Sequence, residues 1–178
     1  MTAKKTIYLL RHAKSVRDDP GLADFDRPLA PRGRSAAKTI AKYLKGLRPR
    51  PALVLCSAAR RTCETLAALK ADLDGAVLKI ENGLYLAALA NLEKRLKRLP
   101  DAVASVLVIG HNPGLEMLAF RLTDPRAKGT DSEALERMKG KFPTAGLAIL
   151  ELPARSWQAL EPASCRLIGF VRPRDLER

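Results

Sequence analysis

The chain of 178 residues has two histidines, and both stand where an apolar run gives way to polar residues. His12 lies in Thr6-Ile7-Tyr8-Leu9-Leu10-Arg11-His12-Ala13-Lys14-Ser15, and His111 in Val106-Leu107-Val108-Ile109-Gly110-His111-Asn112-Pro113-Gly114. A short run with β-branched members that stops at polar residues predicts a buried parallel strand. Such a strand delivers side chains to the carboxyl edge of a sheet, where ligands bind. Neutral imidazole can act as a nucleophile near neutral pH. An adjacent arginine offers a planar fork of donors matched to phosphate oxygens. Arg11, His12 and His111 therefore form a pair of motifs suited to phosphate chemistry.

The elements that must carry these residues alternate. Strands are predicted near residues 6–10, 53–56, 77–80 and 105–109, with helices near 32–47, 59–71, 86–99 and 113–122. Two final strands fall near 146–152 and 165–170. This rhythm predicts a three-layer α/β/α sandwich with a mainly parallel central sheet. The apolar content of 47% over residues 1–178 suits one domain with a real core. Residues 16–31 are rich in Asp, Pro and Gly without a period, and read as a functional loop beside the first histidine. Thr130-Asp131-Ser132-Glu133 is a candidate capping box for a short helix between residues 123 and 141.

Composition narrows the classes of function. No stretch approaches the roughly 20 apolar residues of a membrane span, and Met1-Thr2-Ala3-Lys4-Lys5 leads straight into a strand, so a cytoplasmic protein is expected. Cys56, Cys63 and Cys165 are odd in number and not closely paired, which predicts buried thiols and no zinc site. Cys56 also adjoins Ser57, so sensitivity to oxidation is a second, weaker reading. A net charge of +13 attracts anions generally. With 4% aromatic residues there is little basis for a base-stacking platform, and nucleic acid is not the expected partner.

These motifs resemble the histidine phosphatase superfamily, whose signature is Arg-His-Gly near the amino terminus and a later histidine within Gly-His-Asn; here Ala13 replaces the Gly. Ser57-Ala58-Ala59-Arg60-Arg61-Thr62-Cys63-Glu64-Thr65 resembles the family's Ser-x-x-Arg-Ala-x-Gln-Thr motif at Ser57, Arg60 and Thr65, with Arg61 for Ala and Glu64 for Gln. The resemblance implies that Arg60 holds phosphate. Cations at a helix start are disfavoured unless an anion offsets them, and phosphate would do so. Convergence of these residues in space, and a phosphoglycerate mutase-like fold, are likewise implied by the family.

On this reading His12 attacks phosphorus and forms a phosphohistidine that water hydrolyses, while Arg11, Arg60 and His111 hold the oxygens. Ser15 and Ser57 are further substrate contacts. Neighbouring guanidinium groups predict a depressed pKa for His12, and a phosphate dianion predicts protonation of His111. No metal or cofactor is expected. For the leaving-group acid, Asp24 in Asp24-Phe25-Asp26-Arg27-Pro28-Leu29 and Glu81 after the third strand are the candidates, and each also reads as an ordinary capping or solvated carboxylate.

The lack of a familiar acid motif points to a phosphoramidate substrate, whose leaving nitrogen can already carry a proton. The chain resembles the short SixA group of phosphohistidine phosphatases, on Arg11-His12, Arg27-Pro28-Leu29 with Gly33, residues 53–65 and residues 106–113. That resemblance implies a phosphorylated protein as substrate. Two alternatives stand beside it: a small phosphate ester hydrolysed by the same chemistry, and a non-catalytic basic module that binds anionic protein or nucleic acid.

Overall fold

The computed structural model describes residues 4–17 and 19–177. Strands β1 (Lys5–Arg11), β2 (Leu53–Ser57), β3 (Val77–Glu81), β4 (Ser105–Gly110), β5 (Leu147–Leu152) and β6 (Arg166–Val171) form a sheet in the order β3-β2-β4-β1-β5-β6. The first four run parallel, while β5 is antiparallel to both β1 and β6. The α/β sandwich is thus a mixed, mostly parallel sheet.

Alternation along the strands builds the two outer layers. Ile7, Leu9, Val106 and Val108 face one side, with apolar residues of α3 (Leu89–Lys97), α4 (Gly114–Leu122) and α5 (Ser132–Gly140). Tyr8, Leu10, Leu107 and Ile109 face the other, against α1 (Pro31–Gly46) and α2 (Arg60–Leu69). The short α6 (Pro173–Leu176) joins this second layer through Leu176. Strands β1 and β4 are covered on both faces, which explains their nearly continuous apolar sequence.

Two local expectations are corrected. The third long helix begins at Leu89 and not near residue 86, because Leu86 has φ +48°, a left-handed conformation that no helix interior accepts. The helix after residue 130 is capped by Asp131, whose carboxylate accepts from the Ala134 amide; Thr130 does not form the capping box. Among the described residues, no helix is long and apolar enough to cross a membrane.

Strand register determines where chemistry can occur. Arg11 pairs with Gly110 across β1 and β4, and the His12 amide donates to the Gly110 carbonyl at 3.0 Å. The next residues of the two strands, His12 and His111, therefore leave the sheet side by side. On the other flank of β4, Cys56 pairs with Ile109, so Ser57 and the start of α2 arrive at the same edge.

A close approach behind His12 depends on glycine. A Cβ added at Gly33 would lie 2.0 Å from the Lys14 carbonyl oxygen, and that carbonyl accepts from the Ala30 amide at 2.9 Å. The loop back to α1 can close on the His12 segment only if residue 33 has no side chain. Gly114 is equally confined: its Cβ would lie 2.0 Å from the Ala87 carbonyl oxygen, which lets residues 85–88 rest against α4.

Candidate active site

His12 is buried, and its Nδ1 lies 2.7 Å from the Ala13 carbonyl oxygen. That oxygen can only accept, so Nδ1 carries the hydrogen and Nε2 keeps its lone pair. Arg61 Nε donates to this Nε2 at 3.3 Å. Burial drives the His12 pKa down to about 3, with His111, Arg61 and Arg11 lowering it further and the Ala13 hydrogen bond opposing them. The depression expected from the arginines alone thus has dehydration as its largest cause.

The His111 ring centroid lies 5.2 Å from that of His12. Its Nδ1 is 3.3 Å from an Arg61 amino group and its Nε2 is 2.7 Å from Ser57 Oγ. Because Arg61 can only donate, Nδ1 accepts and the Nε2–H of the neutral ring donates to Ser57. Burial lowers the His111 pKa to about 4; Arg61 adds to this effect and Asp24 opposes it. Without ligand, both imidazoles are therefore neutral at pH 7.

The arginine from α2 is Arg61 and not Arg60. Arg60 projects outward, its side chain about half exposed, and its Nε donates to Glu64 one turn later at 2.8 Å. Arg61 is 2% exposed and bridges the two histidines. Successive helical residues differ by about 100° in direction, so neighbouring arginines cannot share a face. The inner face also carries Thr65, four residues after Arg61, whose Oγ1 accepts from the Ala13 amide at 3.0 Å and donates to the Arg61 carbonyl at 2.7 Å. Once Thr65 is known to face Ala13, counting back four residues along this face leads to Arg61, so helical phase is the signal that separates the two arginines.

Asp24 reaches the site as an ion-paired, hydrogen-bonded carboxylate. Its carboxylate accepts from Arg61 at 3.1 Å, from Arg27 and from the Tyr85 hydroxyl at 2.5 Å, and its carbonyl accepts from Arg61 at 2.7 Å. The Tyr85 hydrogen bond, with Arg27 and Arg61, holds its pKa well below the usual carboxylate range. Asp24 instead supplies the negative charge that offsets Arg61 at the start of α2. Glu81 does not join the cluster: both of its oxygens accept from Arg95, at 2.9 and 2.7 Å, and its pKa is lowered by that partner.

The remaining expected residues have distinct placements. Ser15 is buried and accepts from Arg27 at 3.0 Å, so it anchors the residue that flanks Asp24. Arg11 donates to the Phe142 carbonyl at 2.9 Å, while its buried Nε has no hydrogen-bond partner among the described residues. Cys56 is fully buried and burial pushes its thiol pKa far up, which removes the basis for oxidation sensitivity. Among the described residues, no group of three or more His, Cys, Asp or Glu side chains is placed to hold a metal ion.

Tyr85 was not anticipated from sequence. Its ring meets His111 edge-on at 5.6 Å and Phe25 at 5.0 Å, and the Arg61 guanidinium lies 5.9 Å from its centroid. A tyrosine in a turn after an edge strand has no spacing that marks it. The contact arises because Gly114 lets that turn approach α4.

A family model for the histidine phosphatase superfamily (branch 1) matches residues 7–95. An uncharacterised protein of Mycobacterium tuberculosis is 41% identical over 165 residues, which cover 93% of this chain and 100% of the relative. An uncharacterised chloroplastic protein of Arabidopsis thaliana is 31% identical over 95% of this chain and 78% of its own length. Among solved structures, the SixA protein of Agrobacterium tumefaciens superposes with a TM-score of 0.76 at 31% identity, covering 95% and 98% of the two chains. That of Nakamurella multipartitia gives 0.81 at 27% identity, covering 96% of each.

Proposed function

We propose that this chain, which belongs to the histidine phosphatase superfamily (branch 1), is a phosphatase acting on phosphohistidine in proteins. His12 Nε2 is the nucleophile. It is unprotonated, and its ring is oriented by the Nδ1 hydrogen bond to Ala13. Attack forms an Nε2–phosphorus bond as the bond from phosphorus to the substrate's leaving atom breaks; water then hydrolyses the phosphohistidine and regenerates the imidazole. As phosphorus approaches, the Arg61 Nε–H gives up its bond to the His12 Nε2 lone pair and turns to the equatorial oxygens, where the spare Nε of Arg11 also donates. His111 takes up a proton as the dianion binds and becomes a further donor.

One observation carries the choice of substrate. Asp24, the carboxylate that hydrogen-bonds into the cluster, is held ionised by Tyr85, Arg27 and Arg61. It has no proton to give an alkoxide leaving group. A phosphoramidate has a leaving nitrogen that is already protonated or readily becomes so, and this suits a site without a strong acid. The SixA structures that superpose on this chain support the same reading.

Turnover of a phosphohistidine-bearing protein and of p-nitrophenyl phosphate, both in EDTA, tests this proposal. Faster hydrolysis of the phosphohistidine, lost in His12→Ala, is expected. Faster hydrolysis of the ester would favour a small-molecule phosphomonoesterase. No turnover of either would favour the non-catalytic binding module.

A further inference from the structure

Between the segment that follows His12, the start of α1, the turn after α5 and α6 lies a cavity of about 380 Å³ whose walls are strongly cationic. Lys14 from the His12 segment, Arg32 from α1, Lys141 before the Phe142 turn and Arg174 from α6 all line it. None of these four has a carboxylate partner among the described residues. Arg172, also in the wall, is paired with Asp175, and Glu177 is the acidic residue on the lining. The first turn of α1 adds no acidic residue, so the positive end of that helix is uncompensated by its own sequence. Like charges gathered around a concavity repel one another and raise the local potential, which an arriving anion relieves.

The cavity is tied to the site. Lys14 is two residues from His12, which puts their Cα atoms roughly 7 Å apart along an extended chain. Lys141 precedes Phe142, whose carbonyl holds Arg11, and the Ala145 amide donates to the carbonyls of both Arg11 and His12 at 3.1 Å. The cavity wall is therefore close enough to His12 for one protein substrate to reach both.

We propose that this cavity binds an acidic segment of the phosphorylated protein, engaging carboxylates near the phosphohistidine while His12 attacks. The proposal rests on the phosphohistidine reading above. The four cations are exposed and drawn from four separate parts of the chain. Such a set suits several carboxylates on a protein surface better than one small anion, which needs buried donors fixed around it. Its contribution lies in substrate recruitment and on-rate, weakened by salt.

The test separates docking from catalysis. Binding of an unphosphorylated Glu-rich peptide is measured by fluorescence anisotropy, using the full chain and the triple variant Arg32→Ala, Lys141→Ala, Arg174→Ala. About tenfold weaker binding by the variant is expected, with loss of the difference at high salt. Turnover of p-nitrophenyl phosphate should be unchanged. On phosphohistidine peptides, KM should rise about tenfold for an acidic flank and stay constant for a neutral one, with kcat the same. Equal binding of the acidic peptide by both proteins would overturn the proposal, whatever the fate of phosphohistidine turnover. So would pyrophosphate binding more tightly than the peptide and being lost in the variant, which would make the cavity a second phosphate site.

Discussion

Arg61 Nε donates to His12 Nε2 at 3.3 Å, while one of its amino groups reaches His111 Nδ1 at the same distance. One guanidinium therefore engages the lone pairs of both imidazoles, beside the nitrogen proposed to accept the phosphoryl group. Arg61→Ala should lower kcat/KM by about 10²–10³, the usual cost of removing an oxyanion donor. Arg60→Ala should leave turnover within about twofold, because its ion pair with Glu64 is a surface i,i+4 contact. Steady-state kinetics of the two variants checks both expectations.

On the proposed mechanism Asp24 and Tyr85 are positioning residues that hold Arg61. Asp24→Asn and Tyr85→Phe should each reduce turnover by about tenfold, the loss of roughly one charge-assisted hydrogen bond. The decisive reading is dependence on leaving group. A positioning role predicts the same factor for phosphohistidine and for aryl or alkyl phosphates. A proton-donor role predicts a loss that grows as the leaving group becomes more basic.

Stability should depend on pH through the histidines. Both have native pKa values, about 3 and about 4, below the unfolded value of about 6.5. Between pH 6.5 and 4 the unfolded chain therefore binds protons that the native chain does not, so stability is complete above pH 6.5 and falls as pH falls. The slope should be on the order of 1 kcal/mol per pH unit for each histidine. Thermal melts from pH 7.5 to 4.5 should show a falling Tm, with a shallower fall in His12→Gln. An equally steep fall in that variant would assign the effect to other groups.

Gly33→Ala should destabilise the protein by about 1–3 kcal/mol, since the added methyl overlaps the Lys14 carbonyl and backbone must shift to admit it. Urea unfolding measures the change. Because the displaced backbone is two residues from His12, turnover should fall as well.

Much of this architecture was legible in the sequence. Buried strands such as Val106 to Ile109 declare themselves because both faces are apolar, and His12 and His111 follow directly from where those runs stop. The order that sets β4 between β1 and β2 was not legible, because strand order arises from packing between distant segments. Arg60 and Arg61 show a finer limit: adjacent residues of the same type differ only in helical phase, which the buried Thr65 settles once its partner Ala13 is known. Asp24 was recognised as a site residue, but its role depends on Tyr85, a contact made across the fold by a turn with no sequence mark.

In the proposed mechanism everything follows from His12 Nε2 as the phosphoryl acceptor. Rapid quenching of the enzyme during turnover, under alkaline conditions that preserve phosphohistidine, followed by mass spectrometry and phosphorus NMR, addresses it directly. A single acid-labile phosphoryl group on the Nε2 of His12, formed and discharged at rates matching turnover, is the predicted result. Full turnover with no phosphorylated enzyme, or with the phosphoryl group on His111, would contradict it.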